Sequence, residues 1–317
     1  MVGLRPYRVV AATNLGELPI VHYVNTPNYW AECESSNRIM RVGFPWSDQV
    51  PELFDAGEPF HSLLLYPIRM LLESVWQQLG EYAVHASAVV RHGRAILLTG
   101  GPEAGKTTTA MHLCRSAGFS LYANDQTRMT VRNHHPWLVH GEKKINLRYS
   151  SVSRYSSAIA ERVFLAPDAR NEPWNLKKEV EPPSMGIDTH DLPVPLAVFA
   201  NIKLDDSLNE CVVHLLSSRA DSSKTSLERK EEFFMKIELY RDITEVIRGA
   251  RFTPLGEEDL KLRELFVPSL DRPDYMQKRV AFVNTLFEDD RMALVTVRGP
   301  LEQCGDALVR IFNSIPA

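Results

Sequence analysis

The chain is short of the features that mark several large protein classes. Its four cysteines, Cys33, Cys114, Cys211 and Cys304, lie far apart in 317 residues with no CxxC pair. Neither a zinc ribbon nor a secreted disulfide framework is supported, and a reducing cytoplasm is the expected setting. Positive charge is not in excess, since 36 Lys+Arg face 40 Asp+Glu for a formal net charge of -4. That leaves no overall basic field for nonspecific nucleic-acid binding, so neither DNA nor RNA is expected as a partner. Long apolar runs are missing too. The richest, around Leu63 to Leu72 and Leu196 to Leu204, are broken by Pro, Arg, Asn or Lys, and the N-terminus has no continuous apolar stretch. No membrane span, signal peptide or membrane partner is expected. There is no internal repeat or low-complexity tract. What is present, 44% hydrophobic, 24% charged and 9% aromatic residues, suits a globular chain able to bury a core.

Residues 1–80 read as a small α+β region without recognisable chemistry, a candidate for partner or substrate recognition. Its expected strands are Tyr7 to Ala11, Ile20 to Val24 and Ile39 to Val42, followed by a helix from Phe60 to Gly80 with apolar residues at three- and four-residue spacing. Residues 81–317 read as a nucleotide-binding domain. Val84 to Val90 is an expected strand, Arg91 to Arg94 a tight turn, and Ala95 to Thr99 a second apolar strand leading into GGPEAGKTTTAMHLCRSAG, which continues as a helix to Gly118. Phe119 to Ala123 is a further strand, ending in Asn124-Asp125. Strand, glycine loop, helix, strand and carboxylate describe a nucleotide-binding βαβ unit.

Downstream, strands are expected at Thr127 to Val131, Ile145 to Arg148, Val194 to Leu204, Cys211 to Leu216 and Ala293 to Val297. The Pro-rich piece from Pro167 to Pro195 reads as irregular. Helices are expected from Ser226 to Gly249, Glu257 to Phe266 and Leu301 to Asn313, with no element assigned through Asp271 to Asp290.

Gly100-Gly101-Pro102-Glu103-Ala104-Gly105-Lys106-Thr107 satisfies G-x-x-x-x-G-K-[ST]. Glycines let backbone N–H groups approach phosphates, and the following helix turns its positive N-terminus to them. Lys106 is expected on the β- and γ-phosphates and Thr107 in the shell of Mg²⁺, with Thr108 completing the nucleotide contacts. Glu103 is unusual: an acid beside phosphates weakens binding unless it faces solvent or a basic group. Asp125 stands where a second carboxylate would hold Mg²⁺ or take a proton, on a strand expected to neighbour the loop strand; the alternative is an Asn-Asp turn. His85, in apolar surroundings, reads either as a hydrogen-bonded core residue or as a group acting with Asp125.

His85-Ala86-Ser87-Ala88-Val89-Val90, the hairpin, Ile96 to Thr99, GGPEAGKT and Tyr122-Ala123-Asn124-Asp125 together resemble the core of the HPr kinase/phosphorylase family, whose nucleotide fold is shared with phosphoenolpyruvate carboxykinase. The nearest resemblance is to the HPr kinase-like proteins of the SynChlorMet cassette type. It covers residues 82 to 132. It implies an α/β fold with a mixed sheet and a helical C-terminal part, ATP and Mg as cofactors, and Asp125, His85 and Lys106 as catalytic residues. The implied reaction is transfer of the γ-phosphoryl group to a Ser or Thr hydroxyl of a peptide or small protein, as in the tailoring of a peptide natural product. Asn124 replaces the first of two aspartates usual in the family, and no counterpart of the phosphorolysis segment is found, which favours the kinase direction alone. The alternative is a nucleotide-binding module that escorts a peptide or partner enzyme without catalysis. A decarboxylating carboxykinase is disfavoured by chain length.

Other groups have two readings. Lys143, Lys144 and Arg148 are a solvated basic strand face or a contact for transferred phosphate. Arg219, Lys224, Arg229 and Lys230 are soluble surface or a cationic lid. His134, His135 and His140 read as surface rather than a metal site. Phe233, Phe234, Ile237, Tyr240 and Ile243 read as a helix core face. Self-association into a homo-oligomer is compatible with the sequence.

Overall fold

A computed structural model of the chain describes residues 7–12, 30–34, 39–44, 72–149, 152, 163–164, 177–216, 224–245, 251–252, 265–266 and 273–316. The chain divides into two compact units, Met1–Tyr82 with Tyr240–Val280, and Ala83–Leu239 with Ala281–Ala317. Tyr240–Val280, assigned by sequence to the second region, thus groups with the first unit.

In the first unit, β1 (Tyr7–Ala12), β2 (Trp30–Glu34) and β3 (Ile39–Phe44) form an antiparallel sheet in the order β1-β3-β2. Two of these strands match the sequence expectation; the third expected strand, Ile20 to Val24, lies outside the described residues. So does most of the expected helix from Phe60, which is helical at 72–78.

The second unit is built on a nine-stranded mixed sheet. Its first strands are β4 (Tyr82–Val84), β5 (Ser87–Arg91) and β6 (Arg94–Thr99), followed by helix α1 (Lys106–Ser116) and by β7 (Ser120–Ala123), β8 (Thr127–Arg132) and β9 (His135–Gly141). A separate antiparallel pair joins the expected strand β10 (Ile145–Arg148) to β11 (Lys177–Val180), which lies within the piece expected to be irregular. The eleven-residue β12 (Val194–Leu204) follows, then β13 (Val212–Leu216) and helix α2 (Ser226–Glu245). Two two-residue strands pair, β14 (Arg251–Phe252) with β15 (Leu265–Phe266), and β15 stands at the end of the expected helix Glu257 to Phe266. Helix α3 (Pro273–Glu288), β16 (Ala293–Gly299) and helix α4 (Leu301–Ser314) complete the chain.

β12 is the axis of the large sheet, buried along most of its length, which explains its near-continuous apolar sequence. It runs parallel to β6 on one side and to β16 on the other, and β13 closes that edge antiparallel to β16. On the other flank the hairpin β5–β6, turned at His92-Gly93, puts β5 between β6 and β7. The expected adjacency of the loop strand and the Asp125 strand is therefore corrected: one antiparallel strand separates them. Ile96, Leu98, Leu113, Val198, Val295 and Phe312 belong to the core cluster that joins this sheet to α1 and α4. No described helix is long and apolar enough to cross a membrane.

α2 starts on a capping box, with Thr225 Oγ1 accepting from the Glu228 amide at 3.2 Å and Glu228 accepting from the Thr225 amide at 2.7 Å. Its inward face is Met235, Leu239 and Ile243, all buried; of the expected core face Ile243 is buried and Tyr240 half-buried, while Phe233, Phe234 and Ile237 are exposed, so that face is corrected at these three. The reason is Glu231, one turn before Met235, which points inward to His214 and Thr296. A polar residue on the buried side misdirects a reading made from apolar spacing.

Candidate functional site

The large sheet gathers its strand ends at one edge. β6, β12 and β16 are parallel, with Thr99 beside Asn201 and Leu204 beside Gly299. Because β5 is antiparallel to both β6 and β7, β7 runs with them and leads into Asn124 at the same edge. Open α/β sheets place their ligands at such carboxyl ends. Two strand spacings, about 10 Å, separate β6 from β7. The first turn of α1 spans that gap, since the Thr107 hydroxyl donates to Asn124 Oδ1 at 2.8 Å.

The loop between β6 and α1 needs its glycines. Gly100 has φ 141°, and a Cβ there would lie 2.5 Å from the Ile202 carbonyl oxygen; at Gly105, with φ 95°, it would lie 2.4 Å from Leu204 Cδ1. The Ala104 carbonyl accepts from the Leu204 amide at 2.9 Å, so the loop is pinned to the end of β12. Gly100→Ala is expected to cost about 2–4 kcal/mol, because its new methyl meets backbone and its φ is unfavourable. A urea midpoint unchanged from that of the parent chain would show that the loop is not pinned in this way.

Lys106 is buried, and its ammonium donates to the Gly100 carbonyl at 2.8 Å and the Gly101 carbonyl at 3.2 Å. The N-terminus of α1 has no side-chain cap and no acidic residue in its first turn. Amide N–H groups, a helix dipole and an ammonium thus meet at one place, and the residues present fit an anionic phosphate. Pro102 and Glu103 are exposed at the loop tip, Ala104 is buried, and Gly101, Thr107 and Thr108 are half-buried. Glu103 meets both conditions under which an acid is tolerated, being exposed and 3.4 Å from Arg148.

Asn124 is the polar centre of the site, and it is almost wholly buried. Its carboxamide oxygen accepts from Thr107 and, at 3.3 Å, from Ser87; its Nδ2 donates to the Lys144 carbonyl at 3.2 Å. Thr107 is therefore engaged by Asn124 rather than by Asp125. Asp125, half-buried with φ 64°, accepts from Asn146 at 3.2 Å. Asn146 and Arg148 share the outward face of β10, while Ile145 and Leu147 are buried. One strand face thus carries both the partner of Asp125 and the partner of Glu103. Sequence reasoning missed Ser87, Asn124 and Asn146 as members of this site; the alternation polar at 146 and 148, apolar at 145 and 147, was the available signal.

His85 lies at a bend that breaks the single expected strand into β4 and β5, and it is exposed rather than a core residue. The Ala86 carbonyl accepts from Thr127 Oγ1 at 2.9 Å, and Ser87 bonds Asn124, so His85 and Asp125 sit at the same sheet end. Lys143 is turned away from the loop. Its ammonium donates to the Tyr122 and His190 carbonyls and pairs with Asp191 at 3.3 Å, while burial pushes its pKa down. Lys144 pairs with Glu179. Of the expected lid residues, Lys224 pairs with Glu232 at 2.6 Å and Arg219 lies outside the described residues. His135 is bound to Asp289, which Arg291 also contacts. Among the described residues no group of three or more His, Cys, Asp or Glu is arranged to hold a metal.

The fold and site define a mixed α/β protein with a strand, glycine loop and helix at the carboxyl edge of its sheet. No family model matches the chain, and no curated protein matches it. Among solved structures it is similar to the Hpr(Ser) kinase/phosphatase from Coxiella burnetii, at 13% identity and a TM-score of 0.24, over 42% of this chain and 75% of that one. A likeness this slight says nothing about activity.

Proposed function

We propose that the chain is an ATP- and Mg²⁺-dependent phosphotransferase whose acceptor is a Ser or Thr hydroxyl on a peptide or small protein. The observation that carries this is the convergence, at one sheet edge, of the glycine loop, the buried Lys106, the Thr107–Asn124 pair and Asp125. The nucleotide substrate brings the transferable phosphoryl group, and Mg²⁺ supplies positive charge against it. Loop amides and Lys106 hold the phosphates and offset charge on the transferring group. The Thr107 hydroxyl would hold the metal, with Asn124, which accepts from Thr107 and Ser87, orienting that hydroxyl. Asp125, oriented by Asn146, takes the acceptor's proton, with the exposed His85 at the same edge available to assist. The test is incubation with γ-labelled ATP, Mg²⁺ and candidate peptides. Label on a Ser or Thr residue of a peptide supports transfer; a chain that neither binds ATP nor labels any peptide overturns it.

A second reading, a module that binds nucleotide without transferring phosphate, is favoured by one observation: the oxygen facing Thr107 belongs to a neutral carboxamide. Tight ATP binding without label on any peptide would select it. Asn124→Asp bears on the same point. A carboxylate should lower the Mg²⁺ concentration for half-maximal binding or turnover by roughly three- to tenfold, since hard cations prefer charged oxygen. It also sets an oxygen against the Lys144 carbonyl where Nδ2 now donates, at about 1–3 kcal/mol of stability. A folded variant with an unaltered Mg²⁺ requirement would remove Asn124 from the metal's surroundings.

A further inference from the structure

Two of the four cysteines, 93 positions apart, meet in the fold. Cys211, just before β13, and Cys304, in the first turn of α4, have their sulfurs 3.6 Å apart, and neither is in a disulfide. The approach is held by independent contacts. Gln303 accepts from the Cys211 amide at 2.8 Å and donates to the Asn209 carbonyl at 3.1 Å. Gly299 lies so close to this segment that a Cβ there would be 2.8 Å from Cys211 Cα. A disulfide needs its sulfurs at about 2.05 Å, so closure takes a movement of about 1.5 Å, within reach of side-chain rotation and small backbone shifts.

We propose that Cys211 and Cys304 are a modification site, forming a reversible intramolecular disulfide under a peroxide oxidant. Cys211 is half-buried and Cys304 fully buried, which assigns their parts. Burial, reinforced by the neighbouring Cys211, pushes the Cys304 thiol up and keeps it protonated. Cys211 therefore meets the peroxide. Its sulfur, as thiolate, attacks a peroxide oxygen; an S–O bond forms, the O–O bond breaks, and the leaving oxygen departs as alcohol or water with the thiol's proton. Cys304 sulfur then attacks the Cys211 sulfenic acid. The S–S bond forms, the S–O bond breaks, and hydroxide leaves as water with the proton of Cys304. Two thiols lose two electrons in all, and one peroxide is reduced.

The position couples this bond to the glycine loop. A Cβ at Gly305, next to Cys304, would lie 2.6 Å from the His112 ring of α1, the helix that begins at Lys106. On the other side the Asp205 amide donates to Gly299, and the adjacent Leu204 amide donates to Ala104 of the loop. Drawing Cys211 and Cys304 together therefore pulls on two supports of the loop. This coupling rests on the nucleotide reading above; the covalent bond does not.

The test uses the reduced full-length chain, hydrogen peroxide at graded concentration, alkylation of remaining thiols and peptide mapping. Expected are a linked pair of tryptic peptides, Leu204–Arg219 with Gly299–Arg310, a fall from four to two titratable thiols, and full recovery with dithiothreitol. Cys211→Ser should abolish the link. Cys304→Ala should instead leave Cys211 as a sulfenic acid trapped by dimedone; if that buried variant fails to fold, Cys211→Ser alone decides. Linkage of either cysteine to Cys33 or Cys114, or over-oxidation of Cys211 while Cys304 stays alkylatable, overturns the site. ATP affinity should differ at least threefold between the reduced and oxidised parent chain and not at all for peroxide-treated Cys211→Ser. Equal affinities with the bond mapped would overturn the coupling to the loop. Failure of both forms to bind ATP would count against the nucleotide reading while leaving the mapped bond standing.

Discussion

On the proposed reading, Lys106→Ala is expected to lower phosphoryl transfer by about a hundred- to a thousandfold and to remove most ATP affinity, because it deletes the ammonium that would offset charge on the transferring phosphoryl group. Its effect on the fold should be smaller and separable. The ammonium now satisfies the Gly100 and Gly101 carbonyls, so the alanine variant leaves two acceptors without their donor, at about 1–2 kcal/mol. Thermal melting should report that modest loss while isothermal titration reports the missing nucleotide. Lys106→Arg divides the two effects further. It keeps a charge but exchanges a compact ammonium for a planar fork that the crowded loop does not fit, so stability should suffer more than charge alone predicts. Transfer to a genuine acceptor peptide at the parental rate by folded Lys106→Ala would end the assignment of this loop.

The loop, its helix and the strand Val194–Leu204 were legible because their signals are local: glycines before Lys-Thr, and a mostly apolar run buried along most of its length. What escaped has identifiable causes. α3 was missed because Arg279, within its buried face, is itself fully buried, donating to Gln77 at 3.0 Å and lying over the Tyr240 ring, which breaks the apolar period. β9 was missed because its hairpin turns on Asn133 and His134, both at positive φ, where Asn-Gly would have been the familiar signal. In the site, Asn124 looked like a lost carboxylate. Its role as the hydrogen-bond centre joining Thr107, Ser87 and Lys144 depends on three separate segments meeting, which no spacing along one segment reveals. The same holds for Cys211 and Cys304: sequence separation argued against a pair, and β13 and α4 bring them together.

Asp125→Asn should leave ATP binding within about twofold of the parent and cut transfer by roughly 10²–10⁴-fold, the usual worth of a general base. The substitution suits the position. Asp125 is at φ 64°, and asparagine is among the side chains that adopt that backbone most readily, so strain is not added. The carboxamide oxygen can still accept from Asn146, so the tie to β10 survives while basicity is lost. Asp125→Ala loses both, and its comparison with Asp125→Asn therefore weighs orientation against proton transfer. If the carboxylate chiefly held Mg²⁺, the Asn variant would regain activity at raised Mg²⁺ concentration; if it takes the acceptor's proton, no metal concentration restores the rate. Parental turnover in the Asn variant would leave Asp125 as no more than the second residue of a turn, its left-handed backbone serving only to carry the chain from β7 into β8.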